Sequence, residues 1–315
     1  MNERARTWVG NHSHRAQDFS LERLVRAKGD HRISVVIPAH NEGSTVGAIV
    51  RAIRAELMDG QPLVDELLVM DSDSTDDTAA VARSAGAVVH SAEAVAREFG
   101  WMPGKGEAMW KALFVSDGDI VVFIDGDLTS FTSQYVMGLL GPLLDDGRIA
   151  LVKGFYDRDL GIESSGIGQG GRVTELMARP LISLWWPELA GVIQPLAGEW
   201  AVRRAFLERI PVPTGYGVEC AVLIDAYRLL GLDAIAQVDL GQRSHTHQDL
   251  ASLGVMSAEV LAAAEFRRFP EASSHSETIS HPDKVAGGPL PSWTTRVINA
   301  RERPPFISIQ QVDQA

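Results

Sequence analysis

The chain has 315 residues, enough for one large domain or for one domain with an appended lobe. It is 45% hydrophobic and 22% charged, an ordinary globular composition that can bury a substantial core. A formal net charge of −12 argues against a nucleic-acid partner and against docking on an anionic membrane, and a single cysteine, Cys220, excludes an internal disulfide and fits a reducing cytoplasm.

Residues 1 to about 30 are charged and are expected to form a helical or loose lead-in without the apolar core of a secretory signal. Ile33-Ser34-Val35-Val36-Ile37 is a short β-branched run closed by Pro38, and a helical pattern follows from Ser44 through Ala55. Glu66 to Met70 is a second such run, stopped at Asp71. Thr75-Asp76-Asp77-Thr78 then opens a helix, with acidic residues where the dipole favours them. Ala87-Val88-Val89 predicts a third strand, and Ile120 to Ile124 a fourth that ends in Asp125-Gly126-Asp127.

Continuous apolar runs alternating with helices imply a largely parallel sheet buried on both faces. In such sheets ligands bind beyond the carboxyl ends of the strands. Pro38 to Glu42, Asp71 to Asp73 and Asp125 to Asp127 all fall there, so three polar loops are expected to converge on one rim.

After Leu151 the texture changes. Leu151 to Tyr156 predicts another strand, Gly161 to Gly171 is rich in glycine and serine, and a helix starts at Arg172. The apolar stretch from Pro180 to Ala197 is broken by Pro187, Glu188 and Pro195. A membrane span needs roughly 20 largely uninterrupted apolar residues, so a buried, kinked helical segment is expected. A helical pattern over Val218 to Leu230 leads to a strand at Ile235 to Val238 and then to the polar run Arg243-Ser244-His245-Thr246-His247. Beyond about Pro270 the composition predicts a partly mobile tail.

Asp125-Gly126-Asp127 places two carboxylates two residues apart at the end of a buried strand, where they can reach Mg²⁺ or Mn²⁺ on the diphosphate of a sugar nucleotide. A solvated acidic turn is the bland alternative. Asp71 and Asp73 are placed to touch a ribose or base, while Thr75 to Thr78 read as a helix cap. Gly104-Lys105-Gly106-Glu107 lacks the frame of a phosphate loop, yet Lys105 could neutralise a phosphate; a surface turn before a helix at Ala108 is equally compatible.

Gly168 to Glu175 sets glycine amides, Arg172 and the Thr174 hydroxyl at a helix start, which is anion-binding chemistry. His245 and His247 lie just past a strand, beside Arg243; one of them completing an Asp-bound metal is the sharper reading, and ordinary surface histidines the plainer one. Glu219 is either a first-turn acid favoured by the dipole or a contact to an acceptor hydroxyl.

These motifs together resemble a GT-A glycosyltransferase. The stretches Gly170 to Leu176, Gln194 to Glu199, Gly215 to Glu219 and Gly231 to Val238 resemble the glucosyl-3-phosphoglycerate synthase and mannosyl-3-phosphoglycerate synthase family, over roughly residues 33 to 260. The resemblance implies a Rossmann-like, mostly parallel α/β sheet flanked by helices, with a C-terminal acceptor-binding lobe. It also implies a retaining transfer of a hexose to the 2-hydroxyl of 3-phosphoglycerate, from UDP-glucose with Mg²⁺ or Mn²⁺. GDP-mannose is the alternative donor, and a non-catalytic nucleotide-sugar-binding protein the alternative class.

By position, the resemblance puts Pro38, Ala39, His40, Glu42, Ser72, Lys105 and Gly126 along the nucleotide. Asp127 and His245 would hold the metal, with Asp125 on the nucleotide sugar. Gly171, Arg172, Val173 and Thr174 would take the acceptor's phosphate or carboxylate, with Arg243 and His247 beside them. Leu196, Tyr216 and Glu219 would surround the sugar and the reacting centre. The chain departs from the family's usual residues at His40, Asp73, Gly126 and His247, around the nucleotide and the acceptor. The expected organisation is a lead-in over 1–32, a nucleotide-sugar-binding half over 33–150, an acceptor-binding and metal-completing half over 151–270 and a tail over 271–315. The assembly expected is a cytoplasmic homodimer with no nucleic-acid or membrane partner.

Overall fold

The computed structural model describes residues 1–158, 171–243, 249–271, 276–282 and 293–312. Its strands are β1 (Ser13–Arg15), β2 (Ile33–Ala39), β3 (Glu66–Asp71), β4 (Val88–Ser91), β5 (Ile120–Phe123), β6 (Leu151–Arg158), β7 (Trp200–Arg203), β8 (Val212–Pro213), β9 (Ile235–Arg243), β10 (Thr278–Pro282), β11 (Trp293–Val297) and β12 (Glu302–Arg303). Its helices are α1 (Glu3–His12), α2 (Leu21–Lys28), α3 (Val46–Ile53), α4 (Thr78–Ala85), α5 (Lys105–Ala112), α6 (Gln134–Asp145), α7 (Arg179–Trp185), α8 (Arg204–Leu207), α9 (Val218–Leu230), α10 (Leu250–Arg268) and α11 (Phe306–Val312).

Eight strands form one sheet in the order β1-β9-β6-β7-β5-β2-β3-β4. Neighbours are parallel except at β7, which runs antiparallel to both β5 and β6. Two antiparallel steps restore direction, so β6 and β9 end on the same edge as β2, β3 and β5.

The apolar runs explain the layering. Side chains alternate across a strand, and in β2 Ile33, Val35 and Ile37 join a core with Ile49 and Val50 of α3 and Leu139 and Leu140 of α6. Val36 faces the other core, with Met109 and Trp110 of α5 and Val222 and Leu223 of α9. Burial on both faces is why these strands carry no polar alternation. Among the described residues no helix is long and apolar enough to cross a membrane. The stretch from Pro180 is α7 followed by a short 3₁₀ turn over Pro187–Gly191, the helix breaking at Trp186 just before Pro187.

The lead-in is helical as expected, in α1 and α2, and both ends of the chain add strand pairings that the sequence did not show. The lead-in contributes β1, whose Ser13 pairs with Gln237 of β9, and Trp8 donates its indole N–H to Ile235 O at 2.9 Å. In the tail, β12 pairs with β8, and Arg303 makes two 2.7 Å contacts with the buried Glu107 carboxylate. Those stretches are too short for a periodic signal, and the Arg303 partner lies 196 residues away.

Candidate active site

The three polar loops meet as the topology requires. Ala39 pairs with Asp71 and Asp71 with Ser91, while Val36 pairs with Phe123, two residues before Asp125. The first two loops are laced together. Asn41 N–H donates to Ser74 Oγ at 3.0 Å, Thr75 N–H donates to Asn41 Oδ1 at 2.8 Å, and Glu42 N–H donates to Thr78 Oγ1 at 2.7 Å. Asn41 takes a φ of 60° and Asp73 a φ of 57°, left-handed positions that these residue types tolerate better than most.

His40 is part of this lacing. Its Nδ1 lies 2.6 Å from the Ser72 carbonyl, which can only accept, so Nδ1 carries the proton. In the neutral ring Nε2 is then the acceptor for the Asn41 side-chain amide at 3.2 Å. The structure therefore gives His40 a loop-fixing role at the position that the resemblance put along the nucleotide. Beside it, Asp71 Oδ1 is buried with no hydrogen-bond partner. A buried acceptor without a donor is costly, and an N–H or O–H group of a bound base or ribose would satisfy it.

The third loop is held by Thr45, whose hydroxyl donates to Gly126 O at 2.6 Å. Asp125 turns to the ammonium of Lys105: Nζ is 2.5 Å from Asp125 Oδ1 and 2.6 Å from Glu219 Oε1. Lys105 is the first residue of α5 and Glu219 lies in the first turn of α9. Burial by itself would lower the Lys105 pKa, but Asp125 and Glu219 outweigh it and hold the ammonium well above its ordinary value. Lys105 is cationic, and its charge is shared between two carboxylates.

The glycines flanking Lys105 have a different use from the one their phosphate-loop look suggests. A Cβ on Gly106 would stand 1.8 Å from Pro213 O, so this glycine lets α5 press on the backbone that leads to Tyr216. Glu107 N–H donates to Thr214 O at 2.9 Å. The helix accordingly begins at Lys105 and not at Ala108, and there is no surface turn.

Glu42 and Asp127 face the same space. The Glu42 carboxyl is pushed up to about 7, first by burial and then by repulsion from Asp127 and Asp125. The surplus of negative oxygen donors fits a hard divalent cation such as Mg²⁺ or Mn²⁺. Among the described residues no group of three His, Cys, Asp or Glu side chains forms a complete metal set. His245 and His247 lie outside the described residues. Arg243 ends β9 on the same rim as Asp125, with its side chain also outside them.

At the other candidate cluster, Glu175 N–H donates to Gly171 O at 3.0 Å, so a helical turn starts at Gly171. Arg172 is exposed, whereas Val173 and Thr174 are buried. The open face of this helix start is thus Gly171 and Arg172. Tyr216 is 43% exposed at the rim, with its N–H donated to Glu259 Oε2 at 2.8 Å. Leu196 is partly buried against the core.

Two neighbours of Leu196 were not singled out from sequence. A Cβ on Gly198 would stand 2.2 Å from Asp125 Oδ2, so only glycine lets that carboxylate lie against the turn. Lys153 of β6, fully enclosed, donates to Ala197 O at 2.7 Å and holds the same turn from below. Burial brings the Lys153 pKa down to about 8, against the pull of Glu219. The available signal was a lysine inside the otherwise apolar run Leu151 to Tyr156, since lysine is almost never fully buried without a reason.

Residues 34–186 match the sequence profile of glycosyl transferase family 2. The chain is 44% identical over 312 residues to glucosyl-3-phosphoglycerate synthase of Mycolicibacterium paratuberculosis, covering 96% of this chain and 92% of the relative. The Petrotoga mobilis glucosyl-3-phosphoglycerate synthase is 44% identical over 250 residues, covering 78% of this chain and 77% of that one. The solved structure of glucosyl-3-phosphoglycerate synthase from Mycobacterium tuberculosis in complex with Mn²⁺, UDP-glucose and phosphoglyceric acid superposes with a TM-score of 0.81 at 43% identity, over 92% of this chain and 95% of that one. The Mg²⁺ and UDP complex of the same enzyme gives a TM-score of 0.83 at 42% identity, over 95% and 99%. The sheet described above is therefore of the GT-A type.

Proposed function

We propose a catalytic route for a chain that belongs to the glucosyl-3-phosphoglycerate synthases, glycosyltransferases of family 2: it transfers glucose from UDP-glucose to the 2-hydroxyl of 3-phosphoglycerate with retention. The observation that carries the reading is the Asp125–Lys105–Glu219 cluster on the rim, in a chain 44% identical over 312 residues to a glucosyl-3-phosphoglycerate synthase.

The donor binds to residues of the 33–150 half. Pro38, Ala39, Glu42 and Ser72 line the nucleotide, and the unpartnered Asp71 oxygen accepts from it. Asp127, with His245, would hold Mg²⁺ or Mn²⁺, which neutralises charge on the departing diphosphate. Asp125 and Glu219 accept hydrogen bonds from sugar or acceptor hydroxyls, with the Lys105 ammonium between them at 2.5 and 2.6 Å. Tyr216 and Leu196 close around the hexose.

The acceptor is held by the 151–270 half. Gly171 N–H, the Arg172 guanidinium and Arg243 bind its phosphate or carboxylate, as donors at a helix start suit an anion. The C1–O bond to the diphosphate breaks while the acceptor's 2-oxygen bonds to C1 on the same face. The hydroxyl proton passes to the leaving diphosphate oxygen, so no enzyme nucleophile is needed.

We place the active form in the cytoplasm as a homodimer. Leu176, Leu184 and Leu250 are 79%, 78% and 76% exposed, apolar side chains that a second copy would cover. Sedimentation equilibrium giving one chain's mass would overturn the dimer. The activity is tested by UDP release from UDP-glucose: release that needs both 3-phosphoglycerate and a divalent ion supports the reading, and release indifferent to 3-phosphoglycerate overturns it.

A further inference from the structure

The Lys105–Glu219 contact joins the starts of two helices far apart in the sequence, and a cluster of this kind works only if their separation is held closely. One circuit of hydrogen bonds spans both starts. Asn299 lies just past β11, in the segment that returns to the site from the C-terminal side. Its side-chain amide donates to Pro103 O at 2.6 Å, two residues before Lys105. Its backbone N–H donates to Glu259 Oε1 at 2.8 Å, and the other oxygen, Glu259 Oε2, accepts from Tyr216 N–H at 2.8 Å, three residues before Glu219.

Glu259 is buried on α10, and both its oxygens are occupied by backbone donors. It is thereby committed to joining segments and not to acid–base work. Thr214 N–H donates to Arg301 O at 2.9 Å, a second tie between the return segment and the Tyr216 turn. The segment therefore touches the Lys105 turn on one side and the Glu219 turn on the other.

We propose that Glu259 and Asn299 are positioning residues that hold the Lys105 turn against the Tyr216–Glu219 turn, so that the C-terminal return segment sets the Lys105–Glu219 contact. The effect on turnover rests on the reading of this site as a glucosyltransferase centre. Neither residue touches substrate; each acts through the placement of Lys105 and Glu219.

A double-mutant cycle separates positioning from general support of the fold. Asn299→Ala is expected to lower kcat for UDP release by on the order of tenfold, with KM for UDP-glucose changed by less than about twofold. In a Lys105→Ala background the same substitution is expected to change kcat by less than about twofold, because the residue it positions is gone. Equal losses in both backgrounds would overturn the proposal. Hydrogen exchange supplies a readout that needs no turnover: amides of residues 104–107 are expected to exchange faster in both Asn299→Ala and Glu259→Gln, and unchanged exchange in both would also overturn it. Failure of wild-type protein to release UDP would count against the functional reading alone, leaving exchange to decide the clamp.

Discussion

Glu219 meets Lys105 at 2.6 Å, carboxylate to ammonium, each at the amino end of its own helix. The two ends are not electrostatically equivalent for these residues. A helix N-terminus favours Glu219 and disfavours a lysine, so Lys105 is kept in place by Glu219 and Asp125 together. The pairing fixes a cation at the rim where a diphosphate would arrive, without leaving that cation unneutralised beforehand.

Removing the ammonium should therefore damage catalysis more than binding. Lys105→Ala leaves Asp125 and Glu219 without their shared counter-charge, and kcat for UDP release is expected to fall by roughly 10²-fold or more. Lys105→Arg is expected to restore little, because a planar fork does not replace a compact point charge between two carboxylates. Steady-state rates over a range of UDP-glucose concentrations check this; a wild-type kcat in Lys105→Ala would contradict it.

Gly198 gives a steric prediction. Its Cβ position lies 2.2 Å from Asp125 Oδ2, so Gly198→Ala must displace the carboxylate or the turn. Turnover is expected to drop by about tenfold or more, while overpacking costs about 1–3 kcal/mol of stability. Kinetics and a urea melt on the same preparation test both; an Ala variant with unchanged kcat would show that the close packing does not matter to the reaction.

The C-terminal return segment carries a stability prediction. Arg303 and Glu107 form a buried pair at 2.7 Å, and the guanidinium lies 5.0 Å above the Trp110 ring. Removing Arg303 takes away both short contacts of the buried Glu107 carboxylate and leaves it only Lys111 at 3.5 Å, so Arg303→Ala should cost about 3–5 kcal/mol. Chemical denaturation is the check, and a loss below about 1 kcal/mol for Arg303→Ala would place the pair among ordinary surface bridges.

These contrasts show what the sequence could and could not disclose. The sheet was legible because burial on both faces writes itself as uninterrupted apolar runs, and the rim loops followed from strand direction alone. Asp125 and Lys105 were legible as candidates. Their mutual contact was not, since it joins the loop after β5 to the start of α5 through two side chains, a tertiary closeness with no periodic signature. His40 adds a contact that the sequence did not show: at a position that lines the nucleotide by resemblance, its ring nitrogens bond Ser72 and Asn41. Glu259, Asn299 and Arg303 were missed because single polar residues acquire meaning only from partners brought in by the fold.

Lys153 offers a pH dependence. Its pKa is about 8 in the fold against an ordinary 10.5, so between those values the unfolded chain binds more protons than the folded one. Stability from this group therefore rises as pH increases from about 8 to 10.5 and is lost as pH falls through about 8. The difference of 10.5 − 8 = 2.5 corresponds to about 3 kcal/mol. Comparing denaturant midpoints of wild type and Lys153→Met across that range should show the extra rise in wild type only; parallel curves would contradict it.

The most direct test of the central claim is proton NMR of the anomeric region during incubation with UDP-glucose, 3-phosphoglycerate and Mg²⁺. The UDP-glucose signal is expected to give way to a new α-anomeric signal of a glucosylated 3-phosphoglycerate, and only when 3-phosphoglycerate is present. An unchanged UDP-glucose signal, or a β-anomeric product, would contradict it.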